Sequence, residues 1–194
     1  MTNTAHSQRG WTIKLGLALA SSLALLTSAA LSAQASPNPE LPFAHQADEA
    51  GLTHQQALTM QKSVDSYLKQ VGGSQVAVNE IRLDDRGSSL LLPLPGEKKV
   101  RDLEASPSTI QDSGCSYTYF CVYSGINWSG ALWRWSDCNN HLMPTRGTGS
   151  WINYQTTGTR VKFLDAYGVR WMDAGAPSAD DVADFSWVLS TKPC

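Results

Sequence analysis

Charge is scarce in this chain. Asp, Glu, Lys and Arg make up 16% of its 194 residues, against roughly 25% in an average soluble domain. The signs nearly cancel, 15 Lys and Arg against 17 Asp and Glu, so the broad basic footprint of a nucleic-acid binder is missing. Glutamate stops at Glu104, and of four histidines only His141 lies in the second half of the chain. No His-Glu-x-x-His or EF-hand pattern occurs. Gly147-Thr148-Gly149-Ser150 lacks the Gly-x-Ser-x-Gly spacing of a nucleophile elbow. Nothing in the sequence calls for a metal or a cofactor. After Ala35 no apolar run approaches the ~20 residues of a membrane-spanning helix.

What is present begins with an export signal. Arg9 and Lys14 precede residues 15–26, which are wholly Leu, Ala, Gly and Ser, and Ala33-Gln34-Ala35 supplies an A-x-A site. Residues 1–35 therefore read as a signal peptide cleaved after Ala35. Losing Arg9 and Lys14 takes the net charge from −2 to −4. The product is expected to be secreted and free of the membrane. Four cysteines remain, and an even number in an exported chain reads as two disulfides. Cys115 and Cys121, six positions apart, are expected to pair around a short turn, leaving Cys138 with Cys194. By chain entropy the long loop stabilises by roughly 4 kcal/mol and the short one by roughly 2.4 kcal/mol. A redox pair would need the tighter Cys-x-x-Cys spacing.

Residues 36–49, with three prolines by position 42, read as a flexible lead. Thr53 and Gln56 make a capping box, and Ala57, Met60, Val64, Tyr67, Leu68 and Val71 follow on one helical face until Gly72-Gly73. Apolar alternation on either side of Asp84-Asp85-Arg86-Gly87 predicts a β-hairpin. Residues 50–95 are thus a helix-plus-hairpin segment, too small to fold alone, and residues 96–114 read as a linker. Residues 115–194 differ sharply, holding all four Cys and six of the seven Trp. Strands are expected at 117–123, 131–135, 151–154, 160–164, 169–172 and 185–189, separated by glycine turns. That spacing predicts an all-β sandwich or barrel.

Within this region Tyr123-Ser124-Gly125-Ile126-Asn127-Trp128-Ser129-Gly130 resembles the Greek-key signature of the βγ-crystallins, carried by Tyr123, Trp128 and Gly130. With Cys115 before it and Phe120-Cys121-Val122 leading in, it is similar to the start of the Streptomyces metalloproteinase-inhibitor family. Cys138, the stretch Asn153-Tyr154-Gln155-Thr156-Thr157-Gly158-Thr159 and Cys194 match its extended actinobacterial relatives. The resemblance covers 115–194 and implies a secreted peptidase inhibitor with a βγ-crystallin-like Greek-key sandwich. One departure matters: the inhibitors' second small disulfide loop, which meets the protease, has no counterpart here, so no reactive-site residue is carried over. Asp84-Asp85-Arg86-Gly87-Ser88-Ser89 matches a calcium-loop pattern of some crystallin relatives but lies outside this region and reads as a turn.

The expected function is that of a secreted, non-enzymatic binding protein, with a secreted protease as partner and 143–149 or 175–184 as the inhibiting loop. The alternative is a carbohydrate or cell-wall binder using Trp133 and Trp135, which share one side of a strand. These indoles read first as core of a small sandwich and would stack on sugar rings only if that side were exposed. A hydrolase is the third reading. It would need His141, which reads as a polar surface histidine, or carboxylates from Asp173, Asp180, Asp181 and Asp184, which read as a solvated acidic loop.

Overall fold

The computed structural model describes residues 41–84, 86–104 and 113–194. The chain divides into units Met1–Asn38 and Pro39–Cys194, and every described residue belongs to the second. The expected export signal at 1–35 lies outside the described residues. Among those described, no helix is long and apolar enough to cross a membrane.

Helix α1, Ala44–Glu49, falls in the stretch read as a flexible lead. It is packed: Ala47 is buried and the Gln46 side-chain oxygen accepts the Val78 N–H at 2.6 Å. Helix α2, His54–Val71, begins and ends where the sequence places it. Thr53 Oγ1 accepts the Gln56 N–H and Gln56 Oε1 accepts the Thr53 N–H, closing the capping box. Gly73, at φ 90°, lets the chain turn away, and a Cβ there would strike the Arg82 carbonyl oxygen.

The single hairpin expected next is a three-stranded meander: β1 Ser74–Ala77, β2 Glu80–Arg82 and β3 Ser89–Leu91. The extra turn lies at Val78-Asn79. There the buried Asn79 amide donates to the carbonyls of Leu92 and Arg101 at 3.0 and 2.9 Å, partners that no local pattern announces. The turn at 84–87 is present, with Asp84 Oδ1 accepting the N–H groups of Arg86 and Ser88. Asp85, the second acid of the calcium-like pattern, lies outside the described residues.

Eight more strands follow: β4 Phe120–Tyr123, β5 Leu132–Trp135, β6 His141–Leu142, β7 Thr148–Asn153, β8 Lys162–Asp165, β9 Gly168–Met172, β10 Ser178–Asp184 and β11 Ser190–Lys192. They join the meander in two antiparallel sheets, ordered β1-β2-β3-β5-β4-β7-β10 and β6-β11-β8-β9. The expected all-β architecture of antiparallel sheets is therefore observed. From β4 onward the strands form two units of four. In each, the first, second and fourth strands are neighbours, and the third crosses over: β6 lies beside β11, and β10 beside β7.

Several stretches differ from expectation: β6 and β11 have no counterpart among the expected strands, and 117–119 precede β4 as a turn. Residues 178–184, read as an acidic loop, are edge strand β10; an edge tolerates charge on its open side and is protected by it. Residues 185–189, read as a strand, form a loop whose Phe185 and Val188 fill the core.

Sheet packing explains the unbroken apolar runs. On one face, Leu90, Phe120, Val122, Trp133, Trp135 and Trp151 meet Phe163 of the second sheet, and the same core continues to Ala57, Met60 and Val64 of α2. Tyr67 of α2 packs edge-on to Trp133, 6.3 Å between centroids. On the other face, Leu91, Cys121, Tyr123 and Leu132 pack with Val100 and Cys115. Val100 lies in the stretch read as a linker and is buried there. A strand buried on both faces has no polar side to alternate with.

The helix-plus-hairpin segment is part of this sheet, because β3 pairs with β5 through Ser89↔Arg134, Leu90↔Trp133 and Leu91↔Leu132. Arg134, 7% exposed, fastens the join. Its Nη2 meets Glu80 at 2.8 Å, its Nη1 meets Asp102 at 2.6 Å, and its Nε donates to Ser89 Oγ at 3.0 Å. Arg134→Ala would remove the guanidinium from between two largely buried carboxylates, a change of the kind that costs about 3–5 kcal/mol. Urea unfolding is expected to register that loss as one cooperative transition. A separate, earlier transition for residues 41–104 would show that the segment folds on its own.

Candidate functional site

Tyr123, Trp128 and Gly130 build a folded hairpin between β4 and β5. The Ser124 N–H donates to the Ala131 carbonyl and the Gly125 N–H to that of Ser129, at 2.9 and 3.0 Å. Asn127 and Trp128 take φ of 54° and 58°, and Gly130 takes 78° where a Cβ would strike Ser124 Oγ. Ser150, fully buried on β7, pins the turn. Its hydroxyl donates to the Gly125 carbonyl at 2.7 Å and accepts the Trp128 N–H at 3.0 Å. The Tyr123 hydroxyl donates to the Ser113 carbonyl at 2.9 Å, and burial pushes its pKa well above the usual phenol value. These residues hold the fold and leave no reactive group free.

Both disulfides form as paired from the sequence, Cys115–Cys121 and Cys138–Cys194. The second braces the turn of residues 136–140 between β5 and β6, exposed except at Asp137. At the end of that turn stands His141, which is half-buried where an exposed histidine was expected. Its ring stacks on Trp135 at 4.9 Å, and Nε2 lies 2.7 Å from Asp137 Oδ1. No hydroxyl or thiol among the described residues shares a hydrogen bond with it, so a nucleophile–histidine–acid arrangement is not assembled. Leu142 follows, 80% exposed on edge strand β6.

The loops singled out for inhibition do not stand free. Residue 143 is buried with its N–H on the Leu189 carbonyl, and the Gly147 carbonyl accepts the Phe185 N–H. Most of 175–184 is strand β10.

The four aspartates separate. Asp173 is completely buried and accepts from Asn153 Nδ2, the Val161 N–H and Ser178 Oγ at 2.7, 2.7 and 2.6 Å. It is a structural staple. Asp181 is exposed, and its carbonyl accepts the Asn127 N–H. Asp180 and Asp184 lie on either side of a β-bulge in β10 and line one cleft together.

That cleft, about 260 Å³, opens between edge strands β9 and β10. Buried Trp151, Phe163, Phe185 and Val188 form its floor. Trp171, 45% exposed, and half-buried Trp187 stand at the mouth. The Arg170 guanidinium covers the Trp187 ring at 4.7 Å. The Ser186 hydroxyl and N–H, with Arg170 nearby, hold the Asp184 carboxyl below the usual carboxylate range. Trp133 and Trp135 are 5% and 3% exposed and fill the core, as their first reading had it, so the saccharide platform of the alternative is not available. The accessible indoles are therefore other ones, and sequence reasoning missed them because the cleft exists only once the third strands have crossed.

Asp137 gives a pH test. Burial works against its charge, yet the Asn139 N–H and the His141 imidazole outweigh this and hold its carboxyl below the usual range. A depressed folded pKa contributes stability above the unfolded value, about 3.9, and loses it as pH falls through the folded value. The stability gap between wild type and Asp137→Asn is expected to shrink from about pH 6 to about pH 2. A gap independent of pH in chemical denaturation would overturn the assignment.

Comparison with known proteins finds no matching family model, curated protein or solved structure, so the function is argued from the residues.

Proposed function

We propose that the protein is a secreted, non-catalytic recognition protein of the peptidase-inhibitor kind, carried on a βγ-crystallin-like double Greek key. The fold reading is supported by the folded hairpin at Tyr123, Trp128 and Gly130 and by two units in which the fourth strand returns beside the first. Secretion is supported by the A-x-A signal and by two disulfides, bonds that persist in oxidising compartments. Recognition rather than turnover is supported by the chemistry of the polar groups. His141 is committed to Asp137 and Trp135, and Asp184 is held ionised, the wrong direction for a general acid that must protonate a leaving group.

The observation that carries the inhibitor reading is Leu142, a leucine 80% exposed on an edge strand directly after a disulfide-braced turn. A peptidase cleft takes an extended chain, pairs with its backbone and fills a pocket with one side chain. Bracing by Cys138–Cys194 fixes the segment before the encounter, which lowers the entropy cost of binding. It takes the place of the small disulfide loop that the resembling inhibitors carry.

Titration against secreted metallo- and serine peptidases is expected to block cleavage at micromolar concentration. Leu142→Asp is expected to weaken inhibition at least about tenfold, equivalent to 1.4 kcal/mol, without moving Tm, because so exposed a side chain supports no core. Undiminished cleavage at micromolar protein would remove the inhibitor reading.

A further inference from the structure

The cleft between β9 and β10 is separate from the braced turn, since β6 and β9 are opposite edges of the same four-stranded sheet. Its chemistry is uneven. The floor is wholly apolar and aromatic, and the polar groups on β10 are carboxylates, Asp180 and Asp184. Carboxylates accept hydrogen bonds and carry negative charge but donate nothing. A ligand that satisfies both parts has an apolar stem and a hydrogen-bond-donating positive head.

Size narrows the choice. Pockets for drug-sized ligands begin near about 300 Å³, so about 260 Å³ suits one long side chain rather than an oligosaccharide. Indole faces attract cations, and the cleft already displays this, with the Arg170 guanidinium 4.7 Å from the Trp187 ring centre. Arg170 also lies 3.8 Å from Asp165 and acts on Asp184. Asp180 makes no ion pair among the described residues, and its Oδ1 accepts only the Val182 N–H of its own turn. Neither carboxylate at the cleft makes an ion pair among the described residues, and Arg170 adds only a through-space attraction to Asp184.

We propose that the cleft between β9 and β10 binds a lysine side chain presented by a partner polypeptide. Its methylene stem lies against Trp171, Phe185 and Val188, and its ammonium meets Asp180 and Asp184 at the rim. A polypeptide is favoured over a free amine because the cleft opens along β10, which pairs only with β7 among the described strands. The open side of that strand offers backbone groups to an extended chain. The inference does not rest on the inhibitor reading, which concerns β6 and the turn before it.

Tryptophan fluorescence of the exported protein, titrated with n-butylammonium, n-butanol, methyl glucoside and the capped tripeptide acetyl-Gly-Lys-Gly-amide, tests it. The ammonium is expected to bind at least about fivefold better than the alcohol of equal length, as ~1 kcal/mol for one charge pair in water implies. The preference is expected to fade as salt rises, and the tripeptide is expected to bind better than the bare amine. Asp180→Asn should cancel most of the preference, while its amide oxygen still accepts the Val182 N–H, so the turn persists. Arg170→Gln should strengthen ammonium binding by removing the competing cation, whereas a hydroxyl-rich ligand would lose a donor. Equal binding of alcohol and ammonium, binding of the glucoside instead, a tripeptide weaker than the amine, or no saturable signal would each overturn the proposal. Peptidase titration of Asp180→Asn separates the two sites: intact inhibition with lost ammonium preference leaves the inhibitor reading standing.

Discussion

A buried guanidinium holds the two halves of this protein together. Arg134 sits on β5 with Glu80 from β2, Ser89 from β3 and Asp102 from the segment beyond β3, all within hydrogen-bond distance. Taking three charges out of water is costly, and a well-packed apolar cluster of the same volume is often as stable. What the charges add is geometry. The guanidinium fork satisfies three acceptors in fixed directions, so β3 can lie beside β5 in one register only. A slip of one residue would send Trp133 and Trp135 to the wrong face. The Tyr119 ring, 5.4 Å from the guanidinium carbon, shields the cluster further. Register here governs where the core indoles go, and thus whether α2 has a surface to cover.

That register has a consequence for where recognition can occur. The large sheet is packed on both faces, by the second sheet and α2 on one side and by the Cys115 and Val100 segments on the other. A sheet covered twice presents only its ends and its edges. The large sheet accordingly offers half-buried Asp180 and exposed Asp184 on its edge strand β10, while exposed Leu142 and Trp171 lie on β6 and β9, the two edges of the smaller sheet. Trp133 and Trp135, read from sequence as core before any platform for sugars, are on a central strand and serve the core. A central position in a doubly covered sheet outweighs any alternation pattern.

How much could be read from sequence follows the range of the interactions concerned. Helix α2 was legible because its capping box and its apolar period are local, and the short disulfide was legible because six residues suffice to close it. The Tyr123–Trp128–Gly130 hairpin was legible for the same reason. Strand β10 was not, because three aspartates in seven residues read as solvent-loving unless one knows that the strand will be an edge. The extra turn at Asn79 was hidden because its amide partners, Leu92 and Arg101, lie 13 and 22 positions on. The partners of Arg134 are 32 to 54 positions away, and no periodicity pairs them. The cleft was the least visible feature, since its walls come from β7, β8, β9, β10 and the loop that follows.

The crossing of third strands ties these features to one another. In each unit of four, the third strand leaves its neighbours and pairs on one side only with the other unit's sheet, β6 against β11 and β10 against β7. Such a strand contributes little to its own unit's core yet holds the two units in contact, so its position is dictated while its outward residues are free. β6 uses that freedom for an exposed leucine behind a covalent brace, and β10 uses it for two carboxylates beside a wall of indoles. On the readings proposed above, the two surfaces would select by different means, rigidity in one and charge set against an apolar floor in the other. Substitutions at outward positions of either strand open no cavity in the core, because the side chains that fill the core at those places, Phe163 and Phe185, are carried by other segments.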